Sequence, residues 1–471
     1  MKISKIFAAI LLCLLVIAAT SAYLAGRSRD VQEAAAIREE ETDISVSSVA
    51  AAEPESIGAA EDSGIVPETQ TEVSDETEQA GESTAEQPRE DRVKVKGIYI
   101  TGNMAGTSHM DNLIALVDRT ELNAMVIDIK NDEGRVVYEM DSPLVSEIGS
   151  AKKLVADMPA LVQKCREHGI YLIGRIVAFK DPFLAENRPE LALHNQDGSI
   201  FRDKAGLAWV NPYSREVWEY LLEIAGQAVA AGFDEIQFDY IRFSTDRGMS
   251  KVDFGPEAAG RDKEGTITEF TEYAASQLHP LGALVSADVY GIIIDSRLDA
   301  SIVGQDYYEM AKYLDYISPM VYPSHYGPGN LGLAVPDAQP YETIYRSMSA
   351  SREVLAGMRR DTQEHQVSGN DISGNALPDN KTENPRDMEP AEEIRADVRP
   401  WLQDFTASWV PGHIKYGPEE IRAQIQAVYD AGYEEWILWN ASNRYTEGGL
   451  LPAEEAENDP AAGDAKASQA G

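Results

Sequence analysis

The chain has 471 residues, 79 Asp and Glu against 41 Lys and Arg, and a formal net charge of −38. So acidic a chain is a poor nucleic-acid binder, because that affinity comes from Lys and Arg displacing counterions from phosphates. Its two cysteines, Cys13 in an apolar run and Cys165 alone in a helical pattern, leave no disulfide framework and no cysteine zinc site.

Lys2 and Lys5 precede an uncharged apolar run over 6–26. A basic start followed by such a run is the pattern of an export signal, and this run is long enough to span a bilayer. Residues 1–26 are read as a signal peptide or membrane anchor. The positive-inside rule then puts everything after them on the extracytoplasmic side. Residues 27–92 hold 19 Asp and Glu against 5 Lys and Arg, with no aromatic residue. Burial cannot offset the ordering entropy of such a segment, so a disordered acidic linker is expected. A polar tail over 451–471 is expected to be disordered as well, leaving 93–450 as the folded domain.

Within that domain short β-rich runs alternate with longer helical patterns. Strands are predicted at 95–102, 124–131, 170–178, 233–242, 284–291, 315–322, 401–405 and 435–440. Helices are predicted between them at 109–120, 157–168, 213–231, 266–278, 307–314, 341–358 and 418–431, several closing on Gly. Strand–helix alternation argues for parallel strands with crossover helices. No glycine-rich phosphate loop follows the first strand, and polar residues recur at the C-terminal strand ends, where barrel enzymes place their sites. The expected fold is a (β/α)8 barrel whose last helix is short or missing. Long insertions follow strand three (180–212), strand four (243–265) and strand six (323–340). The polar stretch 362–397 is expected to be a disordered insertion.

Strand parity nominates the candidate site, because alternate side chains face the lumen. With Val285, Ala287 and Val289 facing the helices, Ser286, Asp288 and Tyr290 turn inward. The same parity turns Gln237 and Asp239 inward on strand four, Asp128 and Lys130 on strand two, and Arg175 on strand three. Asp239 and Asp288 thus end neighbouring strands at one mouth. Two facing carboxylates can divide labour between an ionised base or nucleophile and a protonated acid, which is what glycosidic cleavage requires. The competing reading pairs these acids with Lys130, Arg175 or Arg242 in structural ion networks. Tyr240, Tyr290, Tyr322, Tyr326, Trp401 and Trp439 crowd the same end, and aromatic faces suit sugar C–H groups. His325, Gln403, Asp404 and Asn440 complete the candidate binding residues. No histidine or acid partner stands at metal-ligand spacing, so neither a metal nor another cofactor is expected. The absence of a GxSxG elbow argues against an α/β-hydrolase.

The segments VKGIY (95–99), VIDIK (126–130), GRIV (174–177), FDYIRF (238–243), SADVYG (286–291), SPMVYP (318–323) and PWLQDF (400–405) together resemble a bacterial TIM-barrel family assigned to glycoside hydrolysis. FDYIRF is the most specific of them. The resemblance runs from Val95 to about 443 and leaves out the linker, the stretch 362–397 and the tail. It implies an extracytoplasmic glycoside hydrolase acting on a polysaccharide. In amylase-like and galactosidase-like barrels the strand-four Asp is the nucleophile, a place matched here by Asp239. Their acid/base lies on strand five or six; Asp288 is the strand-five match, an Asp where amylases carry Glu. The implied sugar contacts are Asp128, Lys130, Arg175, Arg242, Tyr290, Tyr322, His325, Gln403, Asp404, Trp439 and Asn440. The rival reading is a non-catalytic glycan-binding or envelope-scaffold barrel.

Overall fold

The computed structural model of the chain describes residues 92–358, 386 and 388–456. The segments 1–26 and 27–91 lie outside the described residues, as do 359–385 and 387, which hold most of the insertion expected over 362–397, and the tail from 457. Among the described residues, no helix is long and apolar enough to cross a membrane.

Eight parallel strand positions close on themselves: β1 (Lys96–Ile100), β2 (Ala124–Lys130), β3 (Tyr171–Val177), β4 (Glu235–Asp239), β5 (Leu284–Tyr290), β6 (Tyr316–Met320), β7 (Trp401–Gln403) and β8 (Trp436–Trp439). Closure is made where β8 pairs with β1, Gly97 facing Ile437 and Ile98 facing Leu438. The seventh position is split. Asp397–Val398 pairs with β6 first, and β7 resumes at Trp401 opposite Met320. Pro400 lies in the gap, and proline cannot donate to a ladder.

Seven helices follow the strands in turn: α1 (Met110–Arg119), α2 (Met158–Glu167), α3 (Arg215–Ala231), α4 (Lys263–Leu278), α5 (Tyr307–Met310), α6 (Pro340–Leu355) and α7 (Pro418–Asp430). Their starts follow from capping chemistry. The Asp157 carboxylate accepts the Ala160 N–H at α2, and the Asp262 carboxylate accepts the Gly265 N–H at α4. α3 shows why the packing holds. Val217, Leu221, Ile224, Ala225 and Ala228 form one buried stripe. Each large side chain in it contributes about 1.5–3 kcal/mol on burial. The helix stops at Gly232, whose φ of 105° is costly for any residue with a Cβ. Cys165 is buried on α2, and burial pushes its thiol up to about 12, as suits a packing residue.

Strand parity is as expected except at Lys130, where a register shift after Asp128 sets it opposite the outward-packed Ile176. Ile127, Ile129, Val285, Ala287 and Val289 pack outward against the helices. Tyr99, Val126, Ile173, Trp401 and Ile437 fill the lumen. The lower lumen is charged rather than apolar. Arg399 donates to Glu235 at 2.9 Å and to Glu435 at 3.1 Å, and its guanidinium lies 3.7 Å from the Tyr316 ring centroid. Charges this deep persist only when paired.

Several element edges differ from the sequence reading by a few residues, and three of the differences matter. The strand predicted over 233–242 stops at Asp239, because Tyr240 takes a φ of 51°, although its carbonyl still accepts the Phe179 N–H at 3.2 Å. The insertion expected to be disordered through 397 is packed at its end: Met388, Ile394 and Ala396 are buried. Residues 451–456 belong to the domain, since Leu451 O accepts the Glu121 N–H and Ala453–Ala456 forms a short last helix. The insertions after β3 and β4 pair with each other, His194 opposite Asp253, and build one lip of the mouth.

Candidate active site

Arg175 organises the mouth. The β2–β3 ladder sets Arg175 opposite Asp128, and the β3–β4 ladder sets Val177 opposite Asp239. Its guanidinium donates from Nε and Nη2 to Asp239 Oδ2 at 2.9 and 2.5 Å, and from Nη1 to Asp128 Oδ1 at 2.8 Å. A weaker bond of 3.4 Å reaches Asp132, whose side chain is half exposed. Planar two-sided donation of this kind is what Arg offers and Lys cannot. Asp128 is also held by the Tyr99 hydroxyl at 2.9 Å and the Gly102 N–H at 3.2 Å. Burial raises its carboxyl above the usual range, with the guanidinium opposing.

Asp239 closes β4 with its Oδ1 accepting the N–H of Tyr240 at 2.6 Å. The positive φ of Tyr240 is a strained conformation for a bulky residue. Such strain collects at functional sites. Asp288, at the matching level of β5, has a different environment. It is 2% exposed, and its Oδ1 accepts the Trp401 indole N–H at 2.6 Å. Burial first, and the Asp239 charge second, push its carboxyl well above the usual range; the Trp401 bond opposes. One carboxylate is therefore clamped by a guanidinium, while burial and that neighbouring charge favour the protonated form of the other.

Asp239, Tyr240, Arg242, Tyr290, Met320, Tyr322 and His325 line one pocket above these acids. The Arg242 guanidinium sits among three rings, 4.5 Å from Tyr290, 4.9 Å from Tyr240 and 5.1 Å from Trp209. His325 hydrogen-bonds Ser324 through Nδ1 at 3.0 Å, and its ring lies 5.0 Å from that of Tyr322. Burial pushes it down to about 4, so the ring is neutral at neutral pH. Its Nε2 is buried with no protein partner among the described residues.

The structure thus gathers Asp239, Arg242, Tyr290, Tyr322 and His325 in the pocket wall, with Asp288, Arg175 and Asp128 packed behind or beneath it. Four other candidates are committed elsewhere. Lys130 is fully buried and paired with Asp181 at 2.8 Å. Gln403 donates to Asp337 and Phe405 O and accepts from the Ser324 N–H. The Asp404 carboxylate is taken up by Thr446, and Asn440 holds its own turn through Ser442, Arg444 O and Asp404 O. These residues shape the loops around the mouth. Trp439 touches the wall through Tyr322, ring centroids 5.7 Å apart.

Several contributors were missed. Trp209 lies deep in the insertion after β3, with no sequence signal. Lys180 is buried with its ammonium 4.7 Å from the Tyr240 ring centroid, and Asp132 meets Arg175. Both follow their strands within a few residues, so strand-end position could have found them.

The chain belongs to the family described as "Putative glycosyl hydrolase domain", which matches residues 97–367 and 375–445. Carbohydrate is the substrate class this membership implies. No curated protein matches the chain. Among solved structures, a hypothetical protein from Ruminiclostridium thermocellum is 43% identical, covering 42% of this chain and 99% of its own, with a TM-score of 0.39. The PgaB (BpsB) glycoside hydrolase domain from Bordetella bronchiseptica is 11% identical, covering 74% of this chain and 94% of its own, with a TM-score of 0.50. The α-galactosidase TtGalA from Thermus thermophilus is 13% identical, covering 79% of this chain and 62% of its own, with a TM-score of 0.43.

Proposed function

We propose that this domain is an extracytoplasmic glycosidase that cleaves a polysaccharide with Asp239 as nucleophile and Asp288 as general acid/base. The observation that carries this reading is the unequal setting of two carboxyls on adjacent strand ends: Asp239 clamped by Arg175, and Asp288 buried against the Trp401 indole, where burial raises its carboxyl above the usual range. That is the pairing a two-carboxylate mechanism needs. Asp239 attacks the anomeric carbon as the bond to the leaving oxygen breaks, and Asp288 gives that oxygen its proton. The Asp288 carboxylate then takes a proton from water, which attacks the anomeric carbon and frees Asp239. The bond from Tyr240 leaves Oδ1 of Asp239 a second lone pair for the attack. His325 Nε2 and Arg242 are placed to hold sugar hydroxyls. Extracytoplasmic placement rests on the basic start and apolar run of residues 1–26.

The test is reducing-end release from a panel of envelope polysaccharides by the full chain and by Asp239→Asn. Release by the former and none by the latter, with the fold retained, is the expected result. Full activity of Asp239→Asn on a confirmed substrate would sink the assignment. One observation favours the second reading, a binding barrel without catalysis: Asp288 is tied to Trp401 and does not line the pocket. Glycan binding with no release on any polymer would decide for it.

A further inference from the structure

The six tryptophans divide into two groups. Four donate their indole N–H inside the protein: Trp209 to Asp203 at 2.9 Å, Trp218 to Pro212 O at 2.8 Å, Trp401 to Asp288 at 2.6 Å and Trp436 to the Tyr429 hydroxyl at 3.1 Å. All four are fully or almost fully buried. Trp409 and Trp439 are half-buried, and among the described residues neither indole N–H has a protein partner. Neither nitrogen counts among the buried polar atoms left unpaired, so both are open to solvent. Buried indoles find acceptors; a partly exposed one with a free N–H presents an apolar face and a donor together.

These two indoles are joined into one series that starts at the pocket. Tyr322 lines the pocket and lies 5.7 Å from Trp439. Phe405 packs edge-on to Trp439 at 5.3 Å and stacks on Trp409 at 6.0 Å, the planes 20° apart. The loop carrying Phe405 and Trp409 is ordered by its own bonds. The buried Asp337 carboxylate accepts from Gln403 at 3.1 Å and from the Ile414 N–H at 3.4 Å, and Tyr416 N–H donates to Thr406 at 3.1 Å. The rings are therefore held in place before any ligand arrives, which lowers the entropic cost of binding.

We propose that Trp439, Phe405 and Trp409 form a distal subsite for pyranose units of the glycan chain whose neighbouring unit occupies the pocket. Sugar C–H faces lie on the rings, and the two indole N–H groups donate to hydroxyls. This rests on the reading that the pocket takes a glycan. It adds that the ligand is a chain running out past Trp409, not a single sugar.

The test is affinity electrophoresis of the full chain carrying Asp239→Asn, in gels cast with glycol chitin, laminarin, soluble starch or galactomannan. At least one gel should retard this parent. Adding Trp409→Ala should weaken the apparent affinity about tenfold, equivalent to ~1.4 kcal/mol. Adding Trp409→Phe should cost less, because stacking remains while the N–H is lost. The subsite is refuted if no gel retards the parent, or if Trp409→Ala runs with its parent in every gel that does. Reducing-end release by the wild-type chain is read separately. Retardation without release sinks the catalytic reading and leaves the subsite standing. Release combined with binding indifferent to Trp409 sinks the subsite alone.

Discussion

Replacing Arg175 by Met keeps most of the side chain's apolar volume and removes the guanidinium that holds the buried Asp128 and Asp239 carboxylates. The side chains of Arg175, Asp128 and Asp239 are 6%, 4% and 7% exposed, so water cannot take over the lost bonds. Removing one partner of a buried ion pair typically costs about 3–5 kcal/mol. The pair with half-exposed Asp132 adds under about 1 kcal/mol. The expected loss is therefore ~4 kcal/mol near pH 8. It should depend on pH. Burial already raises the Asp128 carboxyl and Arg175 opposes that rise, so the variant's folded Asp128 titrates higher still. A folded carboxyl that binds protons the unfolded chain has lost makes stability fall as pH rises from the unfolded value toward the folded one. The variant's deficit should thus be smaller at pH 5 than at pH 8. Urea unfolding followed by tryptophan fluorescence at both pH values measures it. A loss below about 1 kcal/mol at pH 8, or one equal at both pH values, would refute the argument that Arg175 neutralises buried charge.

Asp288→Asn keeps an oxygen for the Trp401 N–H but has no proton to give, so kcat/KM on a confirmed substrate should fall about 10²–10⁴-fold. Because the raised Asp288 carboxyl weakens the wild-type fold as pH climbs above the unfolded value near ~3.9, the Asn variant's Tm should gain on wild type from pH 4 to pH 8; a constant difference would contradict this. His325 contributes the opposite slope. Its folded value of about 4 lies below the unfolded one, so its stabilisation is full above pH ~6.5 and is lost as pH falls toward 4. His325→Gln should flatten the Tm profile across that window, and an unchanged slope would count against a buried neutral ring. A Cβ on Gly291 would lie 2.6 Å from Met320 O and meet the Tyr326 hydroxyl. Gly291→Ala should therefore cost about 1–3 kcal/mol in urea unfolding, and a neutral result would mean that this wall of the pocket yields.

How much of this was legible in the sequence depended on whether the controlling interaction was local. Alternation within one strand is a local property, so parity alone turned Asp128, Arg175, Asp239 and Asp288 to the lumen. Helix ends at Gly232 and Gly432 were legible because a left-handed residue favours glycine whatever surrounds it. Strand-end polarity sufficed to place Arg242, Tyr290, Tyr322 and His325 around one mouth. Composition described an acidic, aromatic-free segment before the domain.

Tertiary structure alone decided the roles. Gln403, Asp404 and Asn440 stand at strand ends as the pocket residues do, yet their polar groups are engaged by Asp337, Thr446 and Asp404 O, residues distant in the chain. Nothing in sequence spacing announces those partners. The same holds for Trp209, brought to Arg242 by an insertion that pairs with the next one. It holds also for the unequal environments of Asp239 and Asp288. Both residues are aspartates at the ends of adjacent strands. What separates them is a guanidinium on one side and an indole with deep burial on the other, and desolvation is set by the atoms packed around a group rather than by its neighbours in the chain.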